Sequence, residues 1–158
     1  MGYTHYFRYQ PTSASFATVW AQIITDSRVI CQAATAAGIA LAGPLGTGTP
    51  VIDEAHGIGL NGDAERGEDY ETFTILPPQV PGSDHQSWFC KTERRPYDLA
   101  VTAILLRCKL LAPHEFRIAS DGTWQEWATP IGRGLPSTRQ FITDLFGPVR
   151  DLTGWDDI

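Results

Sequence analysis

The chain has 158 residues, enough for a single domain (residues 1–158) whose core needs no disulfide or metal to hold it. Twelve Lys and Arg against eighteen Asp and Glu leave a net charge of −6, which argues against non-specific nucleic-acid binding and leaves room for a local basic pocket. Three widely spaced cysteines, Cys31, Cys90 and Cys108, include no CxxC pair, so neither a disulfide framework nor a zinc module is read and a reducing, cytoplasmic setting is expected.

The opening MGYTHYFRY has no basic n-region and no apolar h-region, and the longest apolar run, around 36–45, is too short for a bilayer. No membrane partner is expected. The same opening alternates, with Tyr3, His5, Phe7 and Tyr9 on one face of a strand and Thr4, Tyr6 and Arg8 on the other. After Pro11, Thr12, Ser13 and Ser15 offer N-caps for a helix carrying Phe16, Val19, Trp20 and Ile23. Asp26 and Ser27 read as a second cap, starting a further helical segment with Val29, Ile30 and Ala33. GIALAGPLGTGTP then reads as a loop, and it lacks the GK[ST] ending of a phosphate-binding loop.

Short strands are expected near Gly57–Leu60, ended by an Asn61-Gly62 turn, and over ETFTIL at 71–76. PPQVPGSDHQ reads as a loop, and SWFCKT as a strand with Trp88, Cys90 and Thr92 on one face and Phe89 and Lys91 on the other. A helix beginning at Pro96 carries the stripe Tyr97, Val101, Ile104, Leu105, Cys108 and Leu111, and Pro113 ends it. HEFRIAS reads as a strand and Asp121-Gly122 as a tight turn. TWQEWA is either a hairpin partner or a short helical piece, and PSTRQFITDLFG is a capped amphipathic helix. The order predicts an α+β fold, an antiparallel or mixed sheet with helices packed on one face.

The segment FCKTERRPYD, residues 89–98, carries the strongest chemical signal. Lys91, Arg94 and Arg95 precede a helix start, where the dipole repels cations unless something negative lies among them. A bound phosphate or carboxylate would satisfy the cations, Thr92 and the first helical N–H groups together. Glu93, Asp98 or another carboxylate would neutralise them equally well. Tyr3, His5 and Phe7 on one face could stack on a flat ligand, His5, Tyr3 or Tyr6 could contact a base or sugar edge, and His5 could act as acid or base, with Glu71 or Asp98 orienting it. These aromatics fit a core equally well. Cys90, beside three cations, would have a lowered pKa if exposed, although core packing is its plainer role. Asp84 with His85, and Asp53, Glu54 and His56, match no metal-ligand spacing, so no metal and no cofactor is expected. Trp124, Glu126 and Trp127 could pack a hairpin or wall a pocket.

GYTHYF at 2–7, ETF at 71–73, FCKTERRPYD and SDGTW at 120–124 resemble a family of small, functionally uncharacterised phage and bacterial proteins with GYTHYF or GYTHYW openings and an FCKTxRxPYD block. The resemblance implies no catalytic residue. A phage association implies an anti-defence role, interference with a host nucleotide signal. The leading expectation is a protein that binds a small anionic, nucleotide-like ligand through Lys91, Thr92, Arg94, Arg95, Tyr3, His5 and Tyr6. The alternatives are a hydrolase or lyase acting on such a nucleotide, and a structural or partner-binding phage protein without a small ligand. A homo-oligomer is compatible with each.

Overall fold

The computed structural model describes residues 2–79 and 86–152. Asp84 and His85, weighed above as metal ligands, and most of the Pro-rich loop around them lie outside the described residues. In chain order the elements are β1 (Thr4–Tyr9), α1 (Ala14–Ala36), β2 (Leu41–Ala42), β3 (Val51–Asp53), β4 (Gly57–Gly62), β5 (Phe73–Ile75), β6 (Gln86–Lys91), α2 (Asp98–Leu111), β7 (Arg117–Ser120) and α3 (Thr138–Phe146). Single 3₁₀ turns lie at Ala64–Arg66 and Glu126–Ala128. The fold is α+β, and every described strand pairing is antiparallel. No helix among the described residues is long and apolar enough to cross a membrane.

Two sheets form where the sequence suggested one. The first has the order β6-β1-β7, and the second centres on β4, which pairs β2, β3 and β5. The alternation in β1 is realised from His5 onward, since His5, Phe7 and Tyr9 are buried and Tyr6 is exposed, whereas Thr4 at the strand's start is buried as well. Phe7 and Tyr9 stack against Phe116 beneath the helices, at 6.1 and 5.5 Å between ring centroids. Helix α2 packs between α1 and α3. Its residues from Asp98 to Leu106 are all buried, so the apolar stripe widens to the whole circumference, as a central helix requires.

Three sequence expectations are corrected, each for a physical reason. α1 runs unbroken through Asp26 and Ser27, because Asp26 caps nothing locally. Its buried carboxylate instead accepts from Arg107 Nε of α2 at 2.6 Å and from Gln22 Nε2 at 2.6 Å. The glycine-rich stretch is bracketed by the short strands β2 and β3, which pair opposite ends of β4. Asn61-Gly62 is the end of β4 and not a turn. The Asn61 amide donates to Tyr70 O and its carbonyl accepts from Tyr70 N, both at 3.0 Å, tying β4 to the segment ahead of β5. At Gly62 a Cβ would meet Glu68 O at 2.0 Å and the Tyr97 ring at 3.0 Å, so the glycine serves close approach. Gly62→Ala should therefore lower the stability of the fold by about 1–3 kcal/mol in urea titration. A change within about 0.5 kcal/mol would contradict that packing.

Candidate functional site

The site is built on a carboxylate at the start of α2. Asp98 is the first residue of the helix, and Tyr97 before it provides no side-chain cap. Asp98 Oδ1 accepts from His5 Nε2 of β1 at 2.6 Å and from the Thr92 hydroxyl at the end of β6. His5 and Thr92 are both fully buried. On the other side of the ring, His5 Nδ1 meets Ser120 Oγ of β7 at 2.8 Å. The Tyr3 hydroxyl lies within hydrogen-bonding reach of Ser120 and Trp127, in space that a side chain on Gly122 would fill. Burial, and after it the Asp98 charge, push the Tyr3 hydroxyl above the usual tyrosine range. One buried polar chain thus ties α2 to all three strands of the first sheet.

Between β6 and α2 the chain makes a tight turn, closed by Arg95 N donating to Thr92 O at 3.0 Å. Its two central residues, Glu93 and Arg94, have φ of 50° and 58°. Positive φ at both positions is the pattern of a type I′ turn, where glycine, asparagine and aspartate are the usual occupants. A second turn of the same pattern lies at Gly132–Leu135, closed by Leu135 N donating to Gly132 O at 2.9 Å, with Arg133 at φ 55° and Gly134 at φ 75°. Among the described residues Glu93, Arg94 and Arg133 are the only non-glycines at positive φ. All three line one open cavity of about 400 Å³, together with Arg66, Arg95 and Glu68.

Four arginines against two glutamates make this cavity locally basic on a chain of net charge −6. Arg66 lies 3.6 Å from Asp63, and Arg95 donates to Gly67 O at 3.0 Å. Neither Arg94 nor Arg133 forms an ion pair with a described residue. The Arg94 guanidinium lies 3.9 Å from the centre of the Tyr3 ring. Arg94 also lines a second, more enclosed cavity of about 310 Å³, whose walls include Tyr3, Asp98, Thr102, Glu126, Trp127 and Thr138. Arg94 is therefore the shared wall of a basic cavity and a carboxylate-bearing one.

Of the residues expected to bind ligand, Tyr3, Arg94 and Arg95 border these cavities. Thr92 and His5 are buried behind them, bonded to Asp98. Lys91 stands apart. Its ammonium lies 5.4 Å from the Tyr70 ring centre and 3.6 Å from Glu93 Oε1. A hydrogen bond to Tyr70 leads the causes that hold it above the usual lysine range, with Glu93 adding to it. Tyr6 faces out from the first sheet in register with Phe89, which is 62% exposed. Glu71 is structural: its carboxylate accepts from Lys91 N at 2.7 Å, and its carbonyl accepts from the Tyr97 hydroxyl at 2.7 Å.

Asp98 is the partner brought to His5. Ser120, His5 and Asp98 together have the composition of a hydrolytic triad, but Ser120 lines neither cavity and its Oγ already accepts from Gly122 N at 2.9 Å. Cys90 is fully buried, and burial leads the causes that push its thiol up to about 12, reversing the lowering that neighbouring cations suggested. Its side chain lies on the opposite strand face from Lys91. Glu126 and Trp127 do wall a cavity, whereas Trp124 is buried and donates to Asp151 Oδ1 at 3.1 Å. Arg66, Arg133, Thr102 and Thr138 were not singled out from the sequence; for Arg133 the flanking glycines of IGRGL were the available signal. Among the described residues no three His, Cys, Asp or Glu gather as a metal site. The chain matches no protein-family model, no curated protein and no solved structure.

Two outcomes test this arrangement. Asp98→Ala should cost about 3–5 kcal/mol in chemical denaturation, since it strands the His5 ring and the Thr92 hydroxyl inside the protein. The three cysteines should resist a thiol-exchange reagent near pH 8 until denaturant is added. All are buried, Cys31 and Cys90 are pushed up to about 12, and Cys108 is raised as well. Rapid labelling of any one of them in the folded protein would contradict the packing described.

Proposed function

We propose that the chain binds a small anionic, nucleotide-like ligand. Its phosphate lies among Arg66, Arg94, Arg95 and Arg133, and its head enters the neighbouring cavity beside Tyr3 and Trp127. The observation that carries this reading is backbone strain. Glu93, Arg94 and Arg133 occupy left-handed conformations that glycine would adopt at no steric cost, and they do so around a single basic cavity. Strain of this kind, of order 1–3 kcal/mol per residue, gathers where side chains must be aimed at a ligand. Full burial of His5 behind Tyr3 favours binding over turnover. If the resemblance to phage and bacterial proteins holds, the ligand is a host nucleotide signal that the protein sequesters.

A thermal-shift screen against nucleotides, cyclic dinucleotides and ADP-ribose derivatives tests the reading. A ligand at a hundred times its dissociation constant should add about 2.7 kcal/mol of stability. Arg94→Gly should stabilise the free protein by about 1 kcal/mol through relief of turn strain, and weaken ligand binding at least tenfold. Lys91→Ala should leave binding within about twofold, since that ammonium is engaged elsewhere. Undiminished binding in Arg94→Gly would remove the arginine cavity from the site. A flat screen with folded protein would overturn the proposal.

A further inference from the structure

The first sheet buries one face, through His5, Phe7, Cys90 and Ile118, and leaves the other partly open. The strand register sets out that outer face in rows. Tyr6 of β1 stands opposite Phe89 of β6 and Ala119 of β7, and one step along the strands Arg8 stands opposite Arg117. Phe89 is 62% exposed and Tyr6 43%. Exposed apolar groups scattered singly are ordinary, but two rings directly opposite on neighbouring strands, about 5 Å apart at Cβ, make a patch. Neither ring contacts another ring or a cation among the described residues. Ala119 leaves the β7 side of Tyr6 uncrowded.

The acidic balance of the chain does not extend to this face. No residue of β1, β6 or β7 is Asp or Glu, while Arg8, Lys91 and Arg117 all stand on the aromatic side. Lys91 is answered by Glu93. The arginine end is different, because like charges directly opposite on paired strands destabilise a sheet. Arg8 forms no ion pair with a described residue, and its Nε is buried with no hydrogen-bond partner among them. Further cations lie close by. Burial first, then the charges of Arg117 and Arg150, hold the Lys109 ammonium below the usual lysine range. From this juxtaposition we infer that the outer face binds single-stranded nucleic acid, its bases stacked on Phe89 and Tyr6 and its phosphates beside Arg8 and Arg117. Two residues along a strand span about 7 Å, so a base on either ring leaves its phosphate within reach of a guanidinium. A duplex hides the base faces that the rings would take, and an apolar protein partner would leave the arginines unanswered. At net charge −6 phosphate attraction alone is weak, so the stack is required. This surface is separate from the two cavities, and the inference does not rest on the binding reading above.

Fluorescence anisotropy on the full chain tests it, with labelled oligo-dT and oligo-U of about ten nucleotides and a duplex of the same length. The single strands should bind about tenfold more tightly than the duplex, and the DNA and RNA arms show whether the sugar matters. Phe89→Ala and Tyr6→Ala should each weaken binding about 5- to 100-fold, with Tyr6→Phe retaining it and urea titration showing each variant folded. Arg8→Gln should flatten the dependence of log affinity on log salt, between about 50 and 200 mM, by about 0.7. Arg94→Gly should change nothing, and loss of binding there would move the strand to the arginine cavity and overturn the inference. Equal affinity for the duplex, or undiminished binding in folded Phe89→Ala, would overturn it too. So would a failure to bind either strand, and a dimer dissociated by Phe89→Asp would then assign the face to a second copy of the chain.

Discussion

The fold converges on one buried carboxylate. Asp98 sits in the first turn of α2, where the helix dipole favours a negative charge, and receives its hydrogen bonds from β1 and from the end of β6. Taking that charge out of water is costly, and the cost is offset only because the His5 and Thr92 donors are held in place by the strands that carry them. The helix, the sheet and the turn between them are thereby fixed relative to one another. The arrangement also accounts for cations beside a helix start. Asp98 answers the dipole from within, and the arginines, carried on a turn that doubles back, face a cavity outside the helix end.

That turn is where local stability and side-chain placement diverge. A Thr92–Arg95 turn with asparagine and glycine at its centre would form readily, whereas glutamate and arginine hold the same geometry under strain. The surrounding structure imposes it, since Thr92 N and Glu93 N both donate to Tyr3 O, at 2.9 and 3.3 Å, which fixes the path of the chain before the turn begins. Left-handed backbone at position 94 sends the guanidinium over the Tyr3 ring, away from Lys91. Residues three apart in sequence are thus separated onto different surfaces.

Much of the fold was legible because its signals are periodic. The period-two pattern of Tyr3 to Tyr9 apart from buried Thr4, the stripe from Tyr97 to Leu111 and the capped helix over PSTRQFITDLFG each depend on near neighbours, and each is realised. What escaped depends on contacts distant in sequence. Asn61-Gly62 has the composition of a turn, and only the approach of Glu68 and Tyr97 shows why a strand ends there in glycine. Asp26 has the composition of a cap, and only Arg107, on another helix, explains its burial. The site divides likewise. Arg94, Arg95 and Tyr3 could be named from FCKTERRPYD and GYTHYF, but Arg66 and Arg133 come from turns with no local mark of binding beyond the glycines around Arg133. Lys91 and Arg94 could not be told apart, because the separation is made by backbone dihedrals and not by composition.

The two cavities differ in their exposure to water. The arginine cavity is open, so its attraction for an anion is screened by salt and each charge contributes little on its own. Open clusters of positive charge favour anions in general without choosing among them. The cavity under Tyr3 is smaller and more enclosed, and one of its carboxylates is almost wholly buried, so a mismatched hydrogen bond there has no water to replace it. Arg94 lines both spaces and stacks on the Tyr3 ring between them, so one side chain sets a wall of each.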